Sequence, residues 1–178
     1  MQRHGLATLA MRRMTFPIQE RAKLIPVDFM YGKYKLLIVM AILLFLSGLD
    51  RTGFLFRKMF ETCSFPLINV FGDYLSGIVI APLLLPMIPF RAFALKGAFW
   101  GGIYTLFISL IWQVSLIEDI SLGFINLSVA SFVTMNFTGS STFTSLSGVK
   151  KEMKWAIPFQ IAFTAVGLML FIISKLLK

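Results

Sequence analysis

Residues 98–117 read AFWGGIYTLFISLIWQVSLI, twenty positions without one charged side chain. At 1.5 Å of rise per residue, a helix of that length covers about 30 Å, the hydrocarbon thickness of a bilayer. The apolar residues run continuously and do not alternate, so a half-buried strand is excluded. An open sheet in lipid would leave backbone groups unsatisfied. The stretch is read as a transmembrane helix.

Four more stretches read the same way: Leu36–Leu49 with its Tyr34–Lys35 flank, Pro66–Ile88, Ile120–Phe137 and Ala156–Ser174. The composition agrees. Of 178 residues, 57% are hydrophobic and 14% charged, and mean hydropathy is +0.82, where a soluble domain is about a quarter charged. The expected fold is all-α, an integral membrane bundle of five transmembrane helices spanning residues 35–178. A basic cytoplasmic tail of residues 1–34 precedes it. The Arg-rich start resembles an organelle transit peptide in composition, but Glu20, Asp28 and two prolines speak against one.

The net charge of +9 is assigned to membrane orientation and not to nucleic acid. With the N-terminus inside, twelve Lys and Arg fall in cytoplasmic segments against five outside. Five crossings then put the C-terminus and the Glu118–Asp119 turn outside, in a multi-pass protein of the cell inner (plasma) membrane. One Cys and one His exclude a disulfide framework and Cys- or His-based metal clusters. The chain shows no nucleophile beside a base, no carboxylate pair and no phosphate-cradling glycine loop, so catalysis by this chain alone is not expected.

Three local features carry further expectations. Pro82, Pro86 and Pro89 interrupt one half of the second segment, which either kinks there or ends there. Asp73, in the same segment, is the acidic residue placed within the membrane and is a functional candidate for that reason. Gly97 and Gly101 form a G-x-x-x-G that favours close helix packing within the chain. Asn126 and Asn136 match a glycosylation acceptor pattern but are better read as interhelical hydrogen-bonders, and Trp100, Trp112 and Trp155 suit the membrane interface.

Between the fourth and fifth segments lies NFTGSSTFTSLSGVKKEM, residues 136–153, where seven of the ten residues from Thr138 to Ser147 are Ser or Thr. A solvated connector explains part of it, with Ser147 capping a helix that begins near Gly148. The longer stretch MNFTGSSTFTSLSGVKKEMKWAIPFQ, Met135 to Gln160, resembles the membrane domain of the mercury-methylating corrinoid proteins. Those proteins are related to the corrinoid iron–sulfur subunit of carbon monoxide dehydrogenase/acetyl-CoA synthase. PLLLPMIPFRAFALKGA, Pro82 to Ala98, resembles the segment before the third helix of the same domain. The resemblance covers roughly residues 35–175 and implies five helices. The corrinoid-binding domain of that family, with its Asn-Val-Trp-Cys-Ala-Ala-Gly-Lys type of helix, has no counterpart here.

The resemblance therefore implies a membrane anchor for a cytoplasmic corrinoid-dependent methyl-transfer protein, with a ferredoxin-like protein as a further partner. No cofactor is expected in this chain; the corrinoid would sit on a partner or a separate domain. The docking surface implied comprises Arg91, Lys96 and the loop 138–154, with Asn136, Thr138, Gly139, Ser140, Ser141, Thr142, Thr144, Ser145, Ser147, Gly148, Lys150 and Lys151 as its residues. The alternative is a small transporter or permease subunit that uses Asp73 and a proline-broken second helix.

Overall fold

A computed structural model describes residues 18–84, 90, 92–112, 114–140 and 146–177. Among these, the elements in chain order are α1 (Ile18–Leu46), β1 (Leu49–Asp50), β2 (Gly53–Phe54), α2 (Phe56–Thr62), α3 (Ser64–Leu83), α4 (Phe93–Ile111), α5 (Leu116–Ser140) and α6 (Leu146–Leu176). The described residues are all-α apart from one two-stranded hairpin. Three helices are long and apolar enough to cross a membrane: Phe93–Ile111, Leu116–Asn136 and Lys150–Leu176. A fourth is added if α2 and α3, bent by 47° at their junction, count as one span.

The helices pack by register. Along α4 and α5, Gly97 lies against Ala130 and Thr134, and Gly101 against Asn126 and Ala130, an antiparallel pairing. Between α5 and α6, Ser128 meets Thr164 while Glu118 meets Lys175, again antiparallel. Helix α3 pairs Asn69 with Asn126 and Gly77 with Ala130, so it runs parallel to α5. Helix α5 packs against α1, α3, α4 and α6 and is the centre of the bundle.

Small residues make this approach close. A Cβ on Gly97 would strike the Ala130 carbonyl oxygen, so the G-x-x-x-G holds α4 against α5 as expected from the sequence. Leu43, Val70, Tyr74, Ile78, Leu122, Ile125 and Phe171 fill the main core. A smaller cluster of Ala94, Met135 and Ala156 closes one end. Large apolar side chains also cover the outside, among them Leu106, Leu110, Met169 and Ile161. An outer surface of that kind is an interaction site or is matched to lipid.

Several boundaries differ from the sequence reading. Residues 18–34 are helical and continuous with the first apolar segment in α1. Helix α3 runs unbroken to Leu83 with Pro82 in its last turn, and the bend lies at Cys63 instead. A proline so near a helix end ends the helix rather than kinking it. Pro86 and Pro89 lie outside the described residues. Helix α6 includes Ser147, Gly148, Lys150 and Lys151, which therefore lie on a helix and not in a loop.

At the opposite end from this connector, β1 and β2 pair Leu49 with Phe54 and Asp50 with Gly53. Gly53 has φ of 124°, a conformation that side chains disfavour. Lys58 holds Asp50 at 2.8 Å, and Thr62 donates to the Ser47 carbonyl, which ties α2 to the end of α1.

Candidate functional site

Two regions carry polar chemistry. The first is the end of the bundle where α4 begins and α5 gives way to α6. The backbone N–H of Ala94, in the first turn of α4, donates to Glu152 Oε1 of α6 at 2.6 Å. The first N–H groups of a helix lack intrahelical acceptors and carry partial positive charge, so a carboxylate there is doubly favoured. Ala94, Met135 and Ala156 pack together directly beside this bond.

These contacts bring Lys96 to the same end as Lys150 and Lys151. Lys96 is half-buried with its ammonium 5.4 Å from the Phe93 ring centre. Lys150 and Lys151 are exposed on α6. Asn136 is exposed on the last turns of α5, while Thr138, Gly139 and Ser140 continue the α5 backbone. Arg91, Ser141, Thr142, Thr144 and Ser145 lie outside the described residues. Glu152 was not singled out from the sequence, because its partner lies 58 residues away and no local pattern announces a helix-to-helix cap.

The second region is the polar seam where α3, α4 and α5 meet. Asn126 Nδ2 donates to Asn69 Oδ1 at 2.5 Å and to Thr105 Oγ1 at 3.0 Å. Asn69 and Asp73 are one turn apart on α3 and share a face. Asp73 is 0% exposed, and neither carboxylate oxygen has a hydrogen-bond partner among the described residues. The sequence placed Asp73 within the membrane-spanning segment, and the structure buries it inside the bundle. Tyr104 of α4 places its hydroxyl against Gly72 and lies within electrostatic reach of Asp73. Thr134 Oγ1 and Trp100 Nε1 are also buried without partners among the described residues. The Trp100 N–H is thus inside the protein and not at a wet interface, unlike Trp112 and Trp155, which are each 39% exposed.

Uncharged hydroxyls and amides in this seam can relay hydrogen bonds. A lone buried carboxylate is costly unless it is protonated or meets a cation. The seam therefore has the chemistry of a proton or small-cation site. The expectation that Asn126 bonds across helices agrees with its two interhelical contacts.

No protein-family model, curated protein or solved structure matches the chain.

Proposed function

We propose that this chain is a membrane-embedded docking domain for a cytoplasmic corrinoid-dependent methyl-transfer protein. In this reading the chain crosses the inner membrane five times, with α1 and the bent α2–α3 pair as the first two crossings. The N-terminus and the α5–α6 connector face the cytoplasm. The observation that carries the proposal is the Glu152–Ala94 bond. It joins the two stretches that resemble the membrane domain of mercury-methylating corrinoid proteins, residues 82–98 and 135–160, at one end of the bundle. A shared surface needs that proximity. Lys96, Lys150 and Lys151 give it positive charge, which favours an acidic partner face or the phosphate of a corrinoid tail.

The test is binding of a corrinoid-loaded domain from a mercury-methylating protein to the chain in nanodiscs, at low and high salt. Lys150→Glu with Lys151→Glu weakens binding, most strongly at low salt where screening is least. Equal binding by the parent and the double variant at every ionic strength rejects the surface.

The second reading is a small transporter. It is favoured by the buried Asp73 carboxylate and its polar neighbours Asn69, Asn126 and Tyr104. Proteoliposomes loaded with a pH-sensitive dye test it: proton flux that is lost in Asp73→Asn supports transport, and flux at the empty-liposome level rejects it.

A further inference from the structure

Helices α1 and α6 touch only briefly, although both pack on α5. The gap between them is a side-opening cleft of about 460 Å³, well within the ligand-pocket range of about 300–1,000 Å³. Its walls are mostly aliphatic. Leu36 and Val39 line it from α1, Val129 and Val133 from α5, and Ile161 and Leu168 from α6. From Ile157 to Leu168 the α6 wall covers about 16 Å at 1.5 Å per residue, roughly half of a ~30 Å hydrocarbon core. The cleft is one leaflet deep.

Two polar features are set into it. Lys35 lies at its mouth, its ammonium 4.4 Å from the Phe132 ring centre, with no carboxylate partner among the described residues. Asn136 stands on the same rim. About one turn deeper than Ile157, Gln160 is 6% exposed and bonds through Nε2 to Ser131 Oγ at 2.9 Å. Its Oε1 has no partner among the described residues. The cleft wall thus carries a buried amide among otherwise aliphatic side chains.

We infer that the α1–α5–α6 cleft binds one anionic phospholipid, with its phosphate at Lys35 and Asn136, its ester group at Gln160 and one acyl chain along Val39, Ile161 and Leu168. Polar groups at one end of the cleft, Lys35, Asn136 and Gln160, with hydrocarbon beyond them, match a glycerophospholipid along the membrane normal. Gln160, its amide nitrogen donating to Ser131 Oγ, stands at the level of the lipid ester groups. The one-leaflet depth fits an acyl tail and not a membrane-spanning peptide. The charge at the mouth selects phosphatidylglycerol-type headgroups over zwitterionic ones. This site shares Asn136 with the docking end and is separate from Asp73, and it does not depend on either reading.

The full-length chain, purified in a neutral detergent, is offered equimolar phosphatidylglycerol and phosphatidylcholine with identical acyl chains and examined by native mass spectrometry. Preferred retention of a single phosphatidylglycerol is the expected result. Lys35→Gln lowers that retention about fivefold and abolishes the preference, as loss of one interfacial cation predicts. Lys35→Arg keeps it. Ala165→Phe fills the α6 wall of the cleft and lowers retention of both lipids, while helicity and a monodisperse elution profile match the parent chain. Equal retention of the two lipids, or unchanged retention in Lys35→Gln, overturns the headgroup assignment. Unchanged retention in a folded Ala165→Phe variant overturns the cleft, and displacement of the lipid by equimolar palmitate overturns the phosphodiester.

Discussion

The Lys175 ammonium donates to Glu118 Oε1 at 2.8 Å, and the two side chains are only 4% and 3% exposed. This ion pair locks the last turn of α6 to the first turn of α5. Glu118 was read from the sequence as part of a turn on the outer side; a partner 57 residues away draws its side chain into the bundle.

Breaking this pair from one side leaves a buried charge without its counter-ion. Lys175→Met is expected to lower unfolding stability by about 3–5 kcal/mol. Lys175→Met combined with Glu118→Leu should recover much of that loss, because both desolvation costs disappear. Thermal unfolding of detergent-solubilised protein measures the two, and a double variant no better than the single one refutes the buried pairing.

The contact at Gly97 makes a second expectation. Gly97→Leu pushes α4 away from the Ala130 backbone, at a cost of about 1–3 kcal/mol or more. Gly102, whose added Cβ would meet only the Leu127 side chain at 3.6 Å, tolerates Ala with little change. Cysteine crosslinking between α4 and α5 reads the separation directly.

Within the polar seam, two substitutions act with opposite sign. Asn126→Leu strips Asn69 and Thr105 of a shared donor and costs about 1–3 kcal/mol. Asp73→Leu removes a buried group with no partner among the described residues, so stability holds or rises. A melting temperature that falls as far for Asp73→Leu as for Asn126→Leu means that Asp73 has a partner after all.

At the hairpin, the Lys58 ammonium beside Asp50 holds its carboxyl below the usual range, outweighing the opposing effect of desolvation. A carboxyl lowered on folding stabilises above its unfolded value of about 3.9, and that contribution is lost as pH falls through the lowered folded value. Hydrogen exchange of the hairpin amides should stay slow at pH 5 and quicken only in stronger acid. Lys58→Ala moves the onset of loosening to higher pH.

Orientation is checked with reporter fusions. Fusions after Leu49 and at Lys178 should report the outside, and fusions at Lys96 and Lys151 the inside, following the distribution of Lys and Arg. A cytoplasmic reading at Lys178 rejects the arrangement with five crossings.

What was legible in the sequence was whatever has a local signature. Uninterrupted apolar length marked the helices, and spacing by four marked Gly97 and Gly101. The hidden parts are pairings between distant residues. Nothing near Glu118 announces Lys175, and nothing near Glu152 announces the start of α4. Asp73 was visible as an acid among apolar neighbours, but its depth depends on where Asn126 and Tyr104 arrive from other helices. The prolines left a kink or a helix end open, and Pro82 in a final turn agrees with the end; the bend came at Cys63, three residues before Pro66.

The central place of α5 sets an order on biosynthesis. Helices α1, α3 and α4 leave the ribosome before the element that they all pack against. Until α5 arrives, Asn69 lacks its Asn126 donor and the glycine face of α4 has nothing to close on. The nascent chain must therefore wait half-assembled, its polar seam open to lipid or to an insertase. A chain truncated after Ile111 keeps its apolar helices but loses the surface that gathers them. Quality control in the membrane would read that intermediate through Asn69 and Asp73, two polar groups that only the completed bundle conceals.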